Sequence, residues 1–115
     1  MVAMDKFAVL NLSKNNIGDR GVEKLMDAIS YSRSLVSLNL SSNEISGAGF
    51  IHIFEAMKTN ESIIDLNLSS NEGVNRNRMT KKAAVTLKEM LIENQFIETL
   101  RMTGVHLANE GMLQI

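Results

Sequence analysis

Three stretches of this chain read almost alike: LNLSKN at residues 10–15, LNLSSN at 38–43 and LNLSSN at 66–71. The second and the third stretch each begin 28 residues after the preceding one. Leucines two positions apart lie on the same side of an extended strand. A phrase that returns at a fixed period of this size is typical of a repeat protein, in which one small unit stacks on the next. Each unit is therefore predicted to open with a strand that has one apolar side.

A helix is predicted in the second half of each unit, where apolar residues recur at spacings of three and four. Val22, Leu25 and Ile29 show this spacing in the first unit, and such residues form one face of a helix. Residues with capping side chains are expected at the helix starts: Asp19, Ser46 and Thr80. The expected helix ends lie near Ser32, Asn60 and Asn94.

The chain is predicted to be a single domain, residues 1–115, with repeats at about 7–34, 35–62, 63–96 and 97–115. The fourth unit opens at Ile97, which is 34 residues after Ile63, so the third unit carries an insertion of six. A stack of repeats exposes its core at both ends unless capping units cover it. We therefore expect an excerpt of a longer array, and self-association through uncapped ends is a further expectation.

The pattern L-x-x-L-x-L-x-x-N resembles that of the leucine-rich repeat family, specifically its ribonuclease-inhibitor-like class. Leu35, Leu38, Leu40 and Asn43 carry the match in the second unit, with counterparts in the first and third. The resemblance implies an α/β solenoid of about four repeats, with a parallel β-sheet on the concave side and helices on the convex side. It also implies an internal asparagine ladder. The predicted ladder residues are Asn15, Asn43 and Asn71.

The resemblance implies that a protein partner binds on the concave face and the adjacent loops. The predicted partner-binding residues are Asn11, Ser13, Ser37, Asn39, Ser41, Asp65, Asn67, Ser69, Thr99, Arg101 and Thr103. Four strands present a face on the order of 200 Å². A standard interface buries roughly 800 Å² per partner. The sheet alone is thus too small for tight binding, and its short Ser and Asn side chains include few large anchors.

The insertion in the third unit is basic. Arg76, Arg78, Lys81 and Lys82 place four positive charges within seven residues, at the predicted start of a helix. Cations near a helix N-terminus are unfavourable by about 0.3–1 kcal/mol each, so an anionic partner would relieve this cost. A solvated loop without a partner is the alternative interpretation. When the first three units are aligned on their strand phrases, Gly73 of the third unit stands where Ile17 and Ile45 stand in the first and second.

Composition excludes several classes of protein. With 44% hydrophobic and 22% charged residues, the chain is neither disordered nor membrane-spanning. The absence of cysteine rules out disulfides and thiolate zinc sites, and the two histidines cannot hold a metal unaided. A net charge of −1 gives no overall attraction to nucleic acid or to a membrane surface. We predict a cytoplasmic protein that needs no metal and no cofactor.

Catalysis is not predicted. The chain has no glycine-rich phosphate loop or nucleophile motif, and its strand serines recur with the repeat without a histidine beside them. The favoured function is therefore a noncatalytic protein-interaction module. Two alternatives stay open. One is a GTPase-activating regulator of the Ran type, for which Arg20 and Arg101 are the suggestively located residues. The other is tropomodulin-like binding of actin filaments, which the long third unit favours.

Overall fold

Strands and helices alternate along the chain, as predicted, in the computed structural model, which describes residues 8–70 and 76–107. The elements are β1 (Ala8–Asn11), α1 (Gly18–Ile29), β2 (Leu35–Asn39), α2 (Gly47–Thr59), β3 (Asp65–Asn67), β4 (Arg78–Met79), α3 (Lys81–Glu93), β5 (Thr99–Arg101) and β6 (His106–Leu107). The predicted helix ends agree with these bounds within three residues.

The main sheet has the order β1-β2-β3-β5, and all its strands are parallel. Its register follows the repeat, because Ser37 lies between Val9 and Asp65, and Thr99 pairs with Asp65 on the other side. Helices α1 and α3 both pack on α2. The predicted α/β leucine-rich repeat solenoid is confirmed.

The core lies between the sheet and the helices. Leu38, Leu40, Leu66 and Leu68 are completely buried. Phe50 and Phe54 of α2 are also buried, and their ring centroids lie 5.8 Å apart. Two predicted core residues, Leu10 and Leu12, are only half-buried. They belong to the first unit, whose strand β1 lies at the edge of the sheet that the described residues form.

The end of the insertion forms strand β4. Strand β4 pairs in parallel with β6, forming a second, two-stranded sheet that the sequence did not predict. The Arg78 amide donates to the Ile45 carbonyl at 2.7 Å, and Met79 is buried. Met79 thus occupies the apolar position for which the sequence alignment proposed Gly73, which lies outside the described residues.

The starts of the three helices differ in their side-chain hydrogen bonds. The Thr80 hydroxyl caps α3 by accepting from the Ala83 amide at 3.2 Å, as predicted. Asp19 does not cap its own helix, which begins after Ile17 without a side-chain cap. Its carboxylate instead accepts from the Ser46 amide at 2.6 Å and from the Ser46 hydroxyl. Ser46 itself makes no side-chain cap bond to α2, so this link between units replaces the cap predicted for it.

The turns after the helices are held by a second column of polar side chains. Asn94 accepts from the Ile97 amide at 2.9 Å and donates to the Met57 carbonyl of the preceding unit at 2.6 Å. Asn60 accepts from the Ile63 amide at 2.8 Å. Since helix starts meet at one edge of the molecule and helix ends meet at the other, α1, α2 and α3 run parallel.

Candidate functional site: a protein-interaction surface

The first row of the outward sheet face consists of Val9, Ser37, Asp65 and Thr99, one from each strand. The Ser37 hydroxyl donates to Asp65 Oδ2 at 3.4 Å. The other carboxylate oxygen, Oδ1, is shielded from solvent and has no partner among the described residues. A buried carboxylate oxygen without a hydrogen bond is energetically costly. At the centre of this face, Asp65 therefore carries a carboxylate oxygen that the described residues leave without a hydrogen bond.

The next row contains three asparagines that are committed to the fold. The side-chain oxygens of Asn11, Asn39 and Asn67 each accept from the backbone amide two residues further on, at 3.0, 2.9 and 3.0 Å. These bonds shape the turn after each strand. Arg101 completes the row on β5 and is exposed. Of this row, Arg101 is the side chain most available to a partner.

The third row contains Ser13, Ser41, Ser69 and Thr103, and two of its four side chains are buried. Ser41 and Ser69 are only 6% and 9% exposed. The Ser69 hydroxyl accepts from the Thr103 amide at 3.0 Å, so it serves the next unit. Ser13 is half-buried and Thr103 is exposed. Ser41 and Ser69 stay predicted partner-binding residues, but both are buried because stacking of the following unit covers what a single strand would expose.

The asparagine ladder links neighbouring units through Asn43, which is completely buried. Its Oδ1 accepts from the Asn15 and Ile17 amides at 2.9 and 3.2 Å. Its Nδ2 donates to the Leu12 and Ser41 carbonyls at 2.9 and 3.2 Å. Asn15 is exposed, and its own amide group bonds within the first loop.

Asn77 forms a further rung of the ladder, next to Asn43, and the predicted rung Asn71 lies outside the described residues. Asn77 is 1% exposed, and its Oδ1 accepts from the Asn43 and Ile45 amides at 2.8 and 3.0 Å. Its Nδ2 donates to three backbone carbonyls of the second and third units. The sequence contained the signal, because Asn77 precedes Thr80 by three residues, as Asn43 precedes Ser46.

The strands end and the helices begin at one edge of the solenoid, which we call the basic edge. All four predicted basic side chains lie there and are exposed. Two further exposed cations, which sequence reasoning did not join to them, lie at the same edge. The six cations of the basic edge are Lys14, Arg20, Arg76, Arg78, Lys81 and Lys82. Asp19 and Glu44 are the acidic residues of this edge within the described chain.

The opposite edge, where helices end and strands begin, is acidic. It carries the exposed carboxylates of Asp27, Glu61, Glu93 and Glu98, together with exposed Arg33. Lys58, in the last turn of α2, is bound at 2.9 Å by Glu89 and at 3.3 Å by Glu55. The hydrogen bond to Glu89 raises the pKa of Lys58 above its ordinary value of 10.5. A chain with almost no net charge thus has two edges of opposite sign.

The parallel helices add to this separation. Their positive N-terminal ends lie at the basic edge and their negative C-terminal ends at the acidic edge. Lys81 and Lys82 occupy the first turn of α3, and Glu93 is its last residue. The two lysines thus lie at the positive end of α3 and Glu93 lies at its negative end, so the helix dipole disfavours all three charges.

Replacing both first-turn lysines of α3, Lys81→Glu/Lys82→Glu, is therefore expected to stabilise the fold. The gain should be about 0.3–1 kcal/mol per residue at low ionic strength. Urea denaturation measures the free energy of unfolding. The control is Lys24→Glu/Lys88→Glu, which changes the net charge equally at exposed sites outside the basic edge. An equal gain in the control, or a loss in the first variant, would contradict the prediction.

Other predicted or conceivable sites are separated in space. Arg20 and Arg101 belong to the first and fourth units, and the two strands β2 and β3 lie between these units in the sheet. His52 Nε2 lies 3.9 Å from Glu23 Oε2 on the helical surface.

Within residues 8–70 and 76–107, no group of acidic or histidine side chains is arranged to hold a metal ion. In the same part of the chain, no helix has the length and hydropathy needed to cross a membrane.

Comparison with known proteins supports the fold described above. A family model described as "Leucine Rich repeat" matches residues 8–26 and 31–53. No curated protein sequence gives a significant match. The solved structure of leiomodin-1 actin-binding site 2 is similar over 96% of this chain and 63% of its own, with 18% identity and a TM-score of 0.77. The tropomodulin C-terminal domain of Caenorhabditis elegans is similar over 86% of this chain and 56% of its own, with 19% identity and a TM-score of 0.69.

The fold and the repeat together define the class: this chain has a leucine-rich repeat fold. The chain spans less than two thirds of the length of either solved structure.

Proposed function

We propose that this protein is a noncatalytic module that binds a protein partner through the outward sheet face and the loops beside it. The observation that carries the proposal is the pair of opposite charges on neighbouring strands. Asp65 on β3 has a carboxylate oxygen without a hydrogen-bond partner among residues 8–70 and 76–107, and exposed Arg101 lies on β5. Both are surrounded by short hydrogen-bonding side chains, so a partner can approach the backbone closely there.

The strand serines do not support a catalytic alternative. Ser41 and Ser69 are buried, and the Ser69 hydroxyl accepts from a backbone amide. A nucleophile needs both access to substrate and a base within hydrogen-bond reach. The GTPase-activating alternative is not favoured by any arrangement of Arg20 and Arg101.

Actin is the partner that we propose to test first. Two structures that share this fold are described as an actin-binding site of leiomodin-1 and as the C-terminal domain of tropomodulin. The fold alone does not carry actin binding from those proteins to this one. The similarity of fold nevertheless makes actin a specific candidate partner. A cytoplasmic location is part of the same proposal.

The test is cosedimentation of the purified chain with filamentous actin, together with a binding titration on monomeric actin. The variant Asp65→Lys/Arg101→Glu reverses both charges of the face without altering the net charge. Its affinity should fall at least about tenfold, which corresponds to roughly 1.4 kcal/mol. The control is Lys24→Glu/Asp27→Lys, an equal exchange of charges between exposed residues of α1.

Failure of the wild-type chain to bind either form of actin would remove actin as the partner. Binding that is unchanged by Asp65→Lys/Arg101→Glu would remove the sheet face as the site. If the control loses as much affinity as the face variant, the effect is not specific to the sheet.

A further inference from the structure

The basic edge carries charge that the fold leaves uncompensated. None of its six cations lies within 4.0 Å of a carboxylate oxygen of the described residues. The ion pairs that the described residues do form involve His52 and Lys58, on the helical side. The opposite edge has an excess of carboxylates, and these are too far away to neutralise the basic edge at physiological salt, where screening acts over about 8 Å.

The helices increase the effect. The N-terminal ends of α1, α2 and α3 all lie at the basic edge, because Asp19 binds the start of α2 and Thr80 lies against Gly47. Their partial positive charges add to those of the side chains. Six cationic side chains and three helix N-termini therefore lie along one edge, where Asp19 and Glu44 are the acidic residues of the described chain.

We propose that the basic edge docks an acidic segment of the protein partner. This rests on the proposed function, and it names the chemistry of the partner and a surface outside the sheet face. The contact begins at Lys14 and Arg20 in the first unit and ends at Arg78 and Lys82 in the third. A continuous interface of this kind supplies the area that the small sheet face lacks.

The dimensions of the edge define the segment. Packed helices lie about 8–10 Å apart, so the two steps from α1 to α3 span about 20 Å. An extended chain advances about 3.3–3.6 Å per residue, so some six residues cover this distance. The partner segment is thus a run of about six residues rich in Asp or Glu.

The arrangement of charges favours a polypeptide over a polyphosphate. Exposed Glu44 and the carboxylate of Asp19 lie among the six cations, so the positive charge is interrupted. A segment with separate acidic side chains can place them on either side of these interruptions. A nucleic acid carries a phosphate at every step and would meet repulsion there.

The test uses a fluorescein-labelled peptide of ten glutamates as the probe and fluorescence anisotropy as the measurement. In the variant Arg78→Glu/Lys82→Glu the affinity should fall at least tenfold, and in Arg78→Gln/Lys82→Gln it should fall less. The control Lys24→Glu/Lys88→Glu has the same change of net charge as the first variant and should stay within twofold of wild type. Far-UV circular dichroism and the urea midpoint establish that each variant is folded.

Equal losses in the edge variant and the control would overturn the proposal, since the binding would then depend on net charge alone. A single-stranded oligonucleotide of ten phosphates that binds more tightly than the peptide at 150 mM salt would also overturn it. Such a result would assign the edge to nucleic acid.

The actin experiment separates this proposal from the function on which it rests. If wild type binds the peptide through Arg78 and Lys82 but does not bind actin, the basic edge stands as a docking surface for an acidic segment and actin is the wrong partner. If actin binds while neither actin nor the peptide responds to Arg78→Glu/Lys82→Glu, the basic edge is not a docking surface and the protein-binding module stands.

Discussion

Leu40→Ala is expected to lower the free energy of unfolding by about 2–5 kcal/mol, because it removes a buried side chain and leaves a cavity. Leu40 lies in the second unit and is completely buried. Its backbone is held by the next strand, since the Leu40 amide donates to the Asn67 carbonyl at 2.8 Å. The surrounding units therefore cannot easily collapse into the space. Urea denaturation followed by circular dichroism gives the value.

The matched control is Leu91→Ala on α3, where the side chain is 52% exposed. The same atoms are removed, but the loss should be well below that of Leu40→Ala because fewer contacts disappear. A cost below about 0.5 kcal/mol for Leu40→Ala would contradict the register of the sheet, since cavity formation in a packed core does not cost so little.

Asn77→Ala is expected to cost at least about 3 kcal/mol, because a buried polar group left without a partner costs about 1–3 kcal/mol. The side chain of Asn77 makes five hydrogen bonds to the backbone, and its removal leaves several of these groups unsatisfied in the core. The control is Asn11→Ala, which removes one exposed bond, to the Ser13 amide. That change should cost less than about 1.5 kcal/mol.

Asn71→Ala distinguishes the two assignments of the third rung. The sequence repeat favours Asn71, and the structure places Asn77 there. If Asn71→Ala costs as much as Asn77→Ala or more, the assignment to Asn77 is wrong. The outcome also concerns the basic edge, because Arg76 and Arg78 flank Asn77 in sequence. A buried rung between two exposed arginines holds their backbone in place.

The amino-acid sequence was sufficient to predict the overall fold. The paired leucines of each strand and the apolar spacing of each helix are local signals, and their repetition fixes the order of elements. Parallel stacking follows, because a strand and a helix of this size cannot bury their apolar sides alone. The outward positions of the strands, such as Ser37, Asp65 and Thr99, were also predictable from the same alternation.

Contacts between units were decided only by the tertiary structure. The sequence does not show that Asp19 binds the start of the next helix, or that Ser41 and Ser69 are covered by the following unit. The place of the six additional residues was also ambiguous, because Asn71 and Asn77 both satisfy the local pattern. The choice depends on which asparagine reaches the Asn43 and Ile45 amides, and these lie 34 and 32 residues away from Asn77 in sequence.

The separation of charge has the same origin. Counted along the sequence, 12 basic and 13 acidic residues nearly cancel. Stacking brings the same part of every unit to the same edge, so charges far apart in sequence, such as Lys14 and Lys82, come to one line of loops. Composition determines the sum of the charges, but the electrostatic field depends on distances between them, and those distances exist only once the units have packed.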